Sequence, residues 1–329
     1  MSPDKPDLGE FDIIRRFFTR PARHAVLGVG DDAALLRPAP GQDLVAATDM
    51  VVAGRHFFPD ADPASLGHKV LAVNLSDMAA MGAIPRWATL ALALPEADER
   101  WLEGFAAGFF ALADRHGVDL VGGDTTRGPL NLCVQILGEV PTGQALRRAG
   151  ARPGDDIWVS GRLGDAALGL AHRQGRLVLA PHQAGPCLRA LDWPQPRVEL
   201  GVRLRGLAHA CIDVSDGLLA DLGHVLERSR VGATLRLEAL PRSETLGLHL
   251  PEPAALECLL AGGDDYELLF TAAPANRAAV DLAAVEAGVP VTRIGEIRAG
   301  LGLEVLDADG AGVPVARRGF DHFAGGAAP

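Results

Sequence analysis

The chain has 329 residues, with 31 lysines and arginines against 42 aspartates and glutamates, so its formal net charge is −11 at neutral pH. This excess of negative charge argues against a basic surface for binding nucleic acid. Hydrophobic residues make up 48% of the sequence and charged residues 22%, which is typical of a folded protein, and the length predicts about two domains.

The first half of the chain alternates short apolar runs, which are typical of strands, with helical patterns. Asp62 and Pro63 form an N-cap and a first-turn proline ahead of a long helix, which Gly82 ends. The predicted helices are 11–18, 62–81 and 96–116, and the predicted strands are 24–29, 43–48, 87–94, 119–121 and 130–140.

A polar segment rich in glycine and arginine, 147–156, is the predicted linker between two domains, 1–150 and 151–329. After it, strands and helices are mixed without strict alternation, which favours an α+β or layered α/β fold over a doubly wound parallel sheet. The predicted strands are 157–160, 210–214, 233–237 and 267–271, and the predicted helices are 165–174, 195–209, 216–228 and 254–260.

The cysteines and the apolar runs indicate the compartment. Four cysteines lie far apart and form no CxxC pair, so the sequence indicates neither a zinc site nor a disulfide framework. No apolar stretch approaches the roughly 18 residues that span a bilayer, and the first residues contain no apolar signal core. We therefore expect a cytoplasmic protein with no membrane partner.

Several aspartates lie among small or apolar residues instead of on a polar surface. A buried carboxylate without a partner is strongly destabilising, so each must cap backbone, pair with a cation or bind a metal. For one residue alone, binding to nearby backbone is the simpler interpretation: Asp216 could be the N-cap of a helix, and Asp124 could close an Asx-turn after a strand. The set consists of Asp31, Asp32, Asp49, Asp77, Asp124, Asp213, Asp216, Asp264 and Asp265.

Taken together, these carboxylates indicate a divalent cation, because most of them end a predicted strand or open a turn. Oxygen ligands without a cluster of His and Cys favour Mg²⁺ or Mn²⁺ over zinc, and Mg²⁺ held by carboxylates commonly carries substrate phosphates. The stretch 28–33 matches the GxGxxA pattern of dinucleotide-binding sites. However, Asp31 and Asp32 would place negative charge where a pyrophosphate binds, so an NAD-binding oxidoreductase is a weaker alternative.

Motifs along most of the chain resemble the thiamine-monophosphate kinase family of the PurM-like, or aminoimidazole-ribonucleotide-synthetase-like, superfamily. In order, they are GVGDDAALL, ATDMVVAGRHF, KVLAVNLSDMAAMGA, GGDTTRGPL, RRAGARPGD, IDVSDGL, GGDDYELLF and GFDHF. The resemblance implies two PurM-like domains and a homodimer formed through the N-terminal sheets. It also implies ATP-dependent phosphorylation of thiamine monophosphate to thiamine diphosphate with several Mg²⁺ ions. Another ATP-using enzyme of the superfamily, such as aminoimidazole-ribonucleotide synthetase, is the nearer alternative.

The resemblance also implies roles for individual residues. Those assigned to metal are Asp32, Ala47 through its carbonyl oxygen, Thr48, Asp49, Asp77, Asp124, Asp213 and Asp216. Those assigned to catalysis are Asp32, Asp77, Asp124 and Asp216. The ATP contacts are Gly123, Asp124, Arg148 and Ser215, and the thiamine monophosphate contacts are His56, Asp264 and Phe320. Two of these depart from the usual pattern, since the family more often has glutamate in place of Asp264 and tryptophan or tyrosine in place of Phe320.

Overall fold

The computed structural model describes residues 8–314 and 319–320, so the last three residues of the GFDHF motif lie outside the described residues. Contacts divide the described chain into two units. The first comprises 8–74 and 85–139, and the second comprises 75–84, 140–314 and 319–320. Each unit combines helices with its own sheet, which confirms the predicted α+β class. The predicted boundary between residues 150 and 151 stays a prediction.

The elements of the first unit follow the predicted order. They are helix α1 (Glu10–Ile13), continued as a π-helix (Ile14–Phe18), strands β1 (Ala25–Leu27), β2 (Leu35–Leu36) and β3 (Gln42–Val52), helix α2 (Pro63–Ala80), strand β4 (Ile84–Leu94), helix α3 (Glu99–His116), and strands β5 (Asp119–Arg127) and β6 (Asn131–Pro141). One sheet has the strand order β3-β6-β4-β5, and β1 pairs separately with β2. Residues 75–80 of α2 count with the second unit.

Two glycines allow α2 and α3 to lie in close contact. A methyl group at Gly67 would lie 2.0 Å from the carbonyl oxygen of Phe105, and one at Gly108 would lie 1.9 Å from the carbonyl oxygen of Ala64. Asp98 fixes the start of α3, because its carboxylate accepts hydrogen bonds from two backbone N–H groups of the first turn. The helix therefore begins at Glu99, three residues after the predicted start.

The second unit is built around a larger sheet. Its elements are strand β7 (Asp156–Ser160), helices α4 (Asp165–Arg173), α5 (Pro181–Asp192) and α6 (Val198–Arg203), strand β8 (Ala208–Val214), helix α7 (Leu218–Ser229), strand β9 (Gly232–Arg236), helices α8 (Glu244–His249) and α9 (Pro253–Ala261), strand β10 (Glu267–Ala272), helix α10 (Arg277–Ala287), and strands β11 (Val291–Arg298) and β12 (Leu303–Leu306). The strand order is β12-β9-β11-β7-β10-β8, and only the β12–β9 pair is parallel among the pairings of this sheet within the described residues.

One predicted helix of the second unit, 195–209, is wrong in both of its bounds. Helix α6 occupies only Val198–Arg203, and strand β8 already begins at Ala208. Gly206 lies between them with a positive φ of 74°, a conformation that breaks a helix and suits glycine. The apolar residues before the strand extended the helical pattern beyond its true end.

A partly buried ion pair joins Arg197, the residue before α6, to Glu267 at the start of strand β10. Nε and Nη2 of Arg197 donate to the Glu267 carboxylate at 2.7 and 2.5 Å, and the Ser160 hydroxyl donates to it at 2.5 Å. Replacing Arg197 with methionine leaves this buried charge without its cation. We expect Arg197→Met to lower the free energy of unfolding by about 3–5 kcal/mol, as measured by urea denaturation followed by circular dichroism.

The matched control removes an arginine from an exposed ion pair. Arg15 donates to Asp12 one turn earlier in the chain, and both side chains are exposed to solvent. We expect Arg15→Met to change the free energy of unfolding by less than about 1 kcal/mol. Equal effects of the two substitutions would show that the Arg197 pair contributes no more than a surface pair.

Candidate active site

Strand β3 carries three of the assigned residues in succession, Ala47, Thr48 and Asp49. Thr48 is exposed and Asp49 is half-buried, as expected for alternating faces of a strand. The Asp49 N–H donates to the side-chain oxygen of Asn74 at 3.2 Å, and Asn74 is fully buried on α2. The strand continues to Val52, so the expectation that Asp49 ends a strand is wrong.

Gly123 and Asp124 lie within β5, at the edge of the first sheet. Gly123 pairs with Leu90 of the parallel strand β4, and a methyl group at Gly123 would lie 1.9 Å from the Leu90 carbonyl oxygen. Glycine is therefore required for this strand pairing. The Asp124 side chain is exposed, and the strand continues to Arg127, so the interpretation of Asp124 as a turn former after a strand is wrong.

Asp32 and His56 lie on loops of the first unit. Asp32 is exposed, and its N–H donates to the carboxylate of Asp31 at 2.9 Å. The half-buried His56 closes the turn after β3, because its Nδ1 accepts a hydrogen bond from the Val52 N–H at 3.0 Å. The neutral imidazole therefore carries its hydrogen on Nε2, and that nitrogen is the donor of the ring.

In the second unit, Asp213 lies near the end of β8 and is 5% exposed. The Ser76 hydroxyl, at the C-terminal part of α2, donates to its carboxylate at 2.6 Å. Burial raises the pKa of the Asp213 carboxyl above its usual value, and the negative charge of Asp216 also raises it. The positive charge of Arg148 acts in the opposite direction, so the Arg148 guanidinium lies within electrostatic reach of this carboxylate.

Asp77 follows Ser76 on the same helix and differs from all its neighbours. From Ser65 to Ala80, every residue other than Asp77 is buried. Asp77 is half-buried, so its carboxylate keeps contact with solvent on a stretch of helix that is otherwise buried.

The turn between β8 and α7 contains Ser215 and Asp216. The carboxylate of Asp221, in the first turn of α7, accepts hydrogen bonds from the N–H groups of Ser215, Asp216 and Gly217 at 3.0, 3.1 and 3.1 Å. Burial, together with the charges of Asp213 and Asp216, raises the pKa of Asp221 to about 7. Asp216 does not cap the helix: the N-cap position is Gly217, so the capping interpretation of Asp216 is wrong.

The two residues assigned to thiamine monophosphate in this unit are bonded to the same turn. The Asp264 N–H donates to the Ser215 carbonyl at 2.9 Å, and the Phe320 N–H donates to the Asp216 carbonyl at 3.1 Å. Asp264 and Tyr266 adopt left-handed backbone conformations, with φ of 69° and 50°. Such conformations are strained for residues with a side chain and concentrate at functional sites. The Tyr266 hydroxyl donates to the Asp264 carboxylate at 2.9 Å.

Known proteins of one family match most of the length of this chain. The model of the AIR synthase related protein family matches its N-terminal domain to residues 30–140 and its C-terminal domain to residues 152–307. Thiamine-monophosphate kinase of Salmonella typhimurium is 48% identical over 322 residues, which cover 96% of this chain and 98% of the relative. The enzyme of that name from Haemophilus influenzae is 40% identical over 323 residues, 96% of this chain and 98% of the relative.

The chain belongs to the thiamine-monophosphate kinase family.

Solved structures agree with this membership. The crystal structure of thiamine-monophosphate kinase from Stenotrophomonas maltophilia has 52% identity and a TM-score of 0.81, and the match covers 88% of this chain and 92% of that one. AaThiL complexed with AMPPCP and TMP has 30% identity and a TM-score of 0.76, with 90% and 92% covered. The family predicted from the motifs is confirmed, and the NAD-binding alternative is set aside.

The oxygen donors of this member of the thiamine-monophosphate kinase family suit Mg²⁺. Within 8–314 and 319–320, no three His, Cys, Asp or Glu side chains lie close enough together to bind a metal by themselves. Mg²⁺ does not need such a cage, because it keeps several waters and binds one or two carboxylates together with substrate phosphates. Asp213 and Asp216 meet this requirement, since each raises the cost of charging the other and a divalent cation would offset their repulsion.

Two residues of this kinase-family site were missed by the sequence interpretation. Asp221 lies inside an amphipathic helix, where a carboxylate resembles a solvated polar position, although it is 2% exposed. No signal in the sequence distinguishes it, because its partners are backbone N–H groups. Tyr266 could have been singled out because it is the only tyrosine of the sequence and lies inside a predicted functional motif.

Proposed function

We infer that the chain transfers the γ-phosphoryl group of ATP to thiamine monophosphate and forms thiamine diphosphate. The observation that supports this most strongly is the 48% identity to a thiamine-monophosphate kinase over nearly the full length of both chains. The hydrogen-bonded turn of residues 215–217 supports it further, because residues assigned to ATP and to thiamine monophosphate are joined there.

The chemistry requires charge compensation more than a strong base. An oxygen of the thiamine monophosphate phosphate attacks the γ-phosphorus, the bond from that phosphorus to the β–γ bridging oxygen breaks, and ADP leaves. The attacking phosphate oxygen is already ionised near neutral pH, so the main obstacle is repulsion between two anionic phosphates. In the proposal, the permanently charged Arg148 guanidinium binds the nucleotide phosphates, and Ser215 orients them.

We propose that Mg²⁺ accompanies ATP. Several ions are proposed: those on the first unit would bind Asp32, the Ala47 carbonyl, Thr48, Asp49 and Asp124, and those on the second would bind Asp77, Asp213 and Asp216. When bound, Mg²⁺ would neutralise phosphate charge and stabilise the charge that develops on the transferred group.

We also propose that His56, Asp264 and Phe320 bind thiamine monophosphate. The Nε2–H of His56 can donate to a phosphate oxygen, and the half-exposed Phe320 ring offers a face for stacking on an aromatic ring of the substrate. The carboxylate of Asp264 can pair with the cationic or N–H groups of the thiamine moiety.

The outer surface of the first unit supports the proposed homodimer. Leu44 and Met50 of β3 are 49% and 54% exposed, and Val26 and Leu35 of β1 and β2 are 56% and 57% exposed. Leu44 and Met50 are six residues apart on the edge strand β3 and so lie on the same face of it, and apolar side chains exposed on one strand face favour burial against a second copy. We expect Leu44→Asp to convert a dimer into a monomer in light scattering after gel filtration, whereas Leu282→Asp on the exposed face of α10 leaves it dimeric. A wild-type monomer would contradict the proposal.

The proposal places the enzyme in the cytoplasm. The four cysteines are free thiols, which a reducing compartment maintains. None of the helices among the described residues is long and apolar enough to cross a membrane.

The proposed activity is tested by incubating the purified protein with ATP, Mg²⁺ and thiamine monophosphate and separating the thiamine esters by chromatography. We expect thiamine diphosphate and ADP in equal amounts. Unphosphorylated thiamine is the control acceptor, because it offers a hydroxyl where the proposed acceptor is a phosphate oxygen. Absence of thiamine diphosphate above the enzyme-free blank would contradict the proposal.

Loss of the Tyr266 hydroxyl is expected to weaken substrate binding. Tyr266→Phe removes the hydrogen bond to the Asp264 carboxylate and leaves the ring in place. We expect the KM for thiamine monophosphate to rise about five- to tenfold, the effect of one lost hydrogen bond, while the KM for ATP changes little. Steady-state kinetics with each substrate varied in turn measures both constants.

Asp264→Glu is the companion variant to Tyr266→Phe, because glutamate is the more common residue of the family there. We expect it to keep or lower the KM for thiamine monophosphate. A large rise in that KM would contradict a contact between Asp264 and the substrate. Tyr266→Phe would then have no expected effect on substrate binding, because Tyr266 acts through Asp264.

A further inference from the structure

One buried carboxylate holds the backbone of the turn that follows β8. A single oxygen of Asp221 accepts hydrogen bonds from the consecutive N–H groups of Ser215, Asp216 and Gly217, at 3.0–3.1 Å. Asp221 is 2% exposed, so water does not compete for these bonds. Three hydrogen bonds that converge on one buried oxygen hold the backbone of the turn in a single arrangement.

The carbonyl groups of the same turn bind other residues. The peptide between Ser215 and Asp216 donates its N–H to Asp221 and accepts the Asp264 N–H on its carbonyl oxygen. The peptide between Asp216 and Gly217 likewise donates to Asp221 and accepts the Phe320 N–H. A trans peptide is a rigid plane whose N–H and C=O point in opposite directions. Asp221 therefore sets the orientation of two planes to which Asp264 and Phe320 are attached.

We propose that Asp221 is a positioning residue for both substrates of the reaction. It fixes Ser215 and Asp216, which the proposed function assigns to ATP and metal, and through their carbonyls it fixes Asp264 and Phe320, which are assigned to thiamine monophosphate. The inference rests on that proposed function. The proposal gives Asp221 no direct contact with either substrate, because the residue is 2% exposed and one of its oxygens is bonded to the backbone of the turn.

The same bonds limit how the turn itself can bind a nucleotide. The N-terminus of a helix commonly binds a phosphate through its first N–H groups. In the turn before α7, the N–H groups of Ser215, Asp216 and Gly217 already donate to the Asp221 carboxyl group, so they are not available to a phosphate. The turn therefore offers its side chains, and not its N–H groups, to a nucleotide with its cation.

Two substitutions at Asp221 weaken its hydrogen bonds to the turn to different extents. Asp221→Asn keeps an acceptor oxygen in a similar position but replaces the carboxyl group with an amide, and Asp221→Leu removes the acceptor altogether. The matched control is Asp307→Asn, because the Asp307 carboxylate also accepts two backbone N–H groups of a turn, at 3.1 and 2.8 Å. Asp307 follows β12, at the opposite edge of the sheet from β8.

The two KM values and the affinity for AMPPCP distinguish a positioning role of Asp221 from a role in stability alone. We expect Asp221→Asn to raise the KM for ATP and the KM for thiamine monophosphate together, each about tenfold, and Asp221→Leu to raise both further. A substitution at a direct contact, such as Phe320→Ala, is expected to raise only the KM for thiamine monophosphate. Binding of AMPPCP with Mg²⁺, measured by calorimetry, is expected to weaken about tenfold in Asp221→Asn and to stay unchanged in Asp307→Asn.

Thermal unfolding of each variant completes the test. A folded Asp221→Asn protein with wild-type values of both KM and of AMPPCP affinity would overturn the inference. So would a rise in only one KM, or an Asp221→Asn protein that does not fold, since either result assigns Asp221 a different role. If the wild-type protein makes no thiamine diphosphate, the proposed function fails, and the AMPPCP titration alone then decides whether Asp221 positions the nucleotide residues.

Discussion

Asp77→Asn is expected to reduce kcat by about a hundredfold or more while the protein stays folded. Asparagine has the shape of aspartate without its charge, so the buried helix α2 keeps its packing. Asp77 alone reaches the surface from the buried stretch Ser65–Ala80, and the proposal assigns its carboxylate to the cation that accompanies ATP. Loss of one anionic ligand weakens the binding of that cation, and the charge of the transition state is then less well stabilised. The measurement is steady-state kcat at saturating substrates.

A matched variant distinguishes this effect from the loss of any helical carboxylate. Asp281 lies in the middle of α10 and is exposed, so Asp281→Asn removes the same charge from a helix without an assigned role. We expect wild-type kcat for Asp281→Asn and wild-type unfolding temperatures for both variants. Wild-type kcat in Asp77→Asn would remove Asp77 from the proposed metal ligands.

Removal of divalent cations is expected to abolish turnover completely. The assigned carboxylates are negatively charged, and so are both phosphates. Without a cation, their repulsion would weaken substrate binding and raise the barrier to phosphoryl transfer. We expect EDTA to reduce thiamine diphosphate formation to the blank, and added Mg²⁺ or Mn²⁺ to restore it, because oxygen ligands suit these cations. Zinc is expected to restore little, since the assigned set contains no cysteine and no histidine.

Binding provides a second readout for the same claim. Calorimetric titration with AMPPCP is expected to show tight binding with Mg²⁺ and weak binding with EDTA. Circular dichroism is expected to stay unchanged, which separates metal loss from unfolding. Full turnover in EDTA would contradict the assignment of these carboxylates to a metal.

Local signals decided how much of the fold could be predicted from the sequence. Helix α2 was predicted to within a residue at each end, because Asp62 and Pro63 begin it and Gly82, with a φ of 64°, ends it. Helix α5 was missed because it contains Pro186, which argues against a helix interior. Helix α10 and the strands β11 and β12 were missed because their patterns are short and their packing partners are distant in sequence.

At the site, too, some residues could be predicted from the sequence and others could not. The sequence singled out Asp213 and Asp216 because they interrupt an apolar strand and open a glycine-containing turn. It placed Asp49 and Asp124 at strand ends, although both lie inside strands: β3 continues with apolar residues to Val52, and β5 continues with polar residues to Arg127. Asp221 could not be recognised, because its partners are backbone N–H groups that every residue type provides. Only the three-dimensional course of the turn shows which carboxylate they bind.

The fate of the γ-phosphoryl group tests the central claim most directly. The wild-type protein is mixed with thiamine monophosphate, Mg²⁺ and ATP that carries radioactive phosphorus in its γ position, and the products are separated over a single turnover. We predict that the label appears in the terminal phosphate of thiamine diphosphate as fast as it leaves ATP, and that no label is bound to protein. Label released as inorganic phosphate, or retained on the protein, with none in thiamine diphosphate would contradict the account.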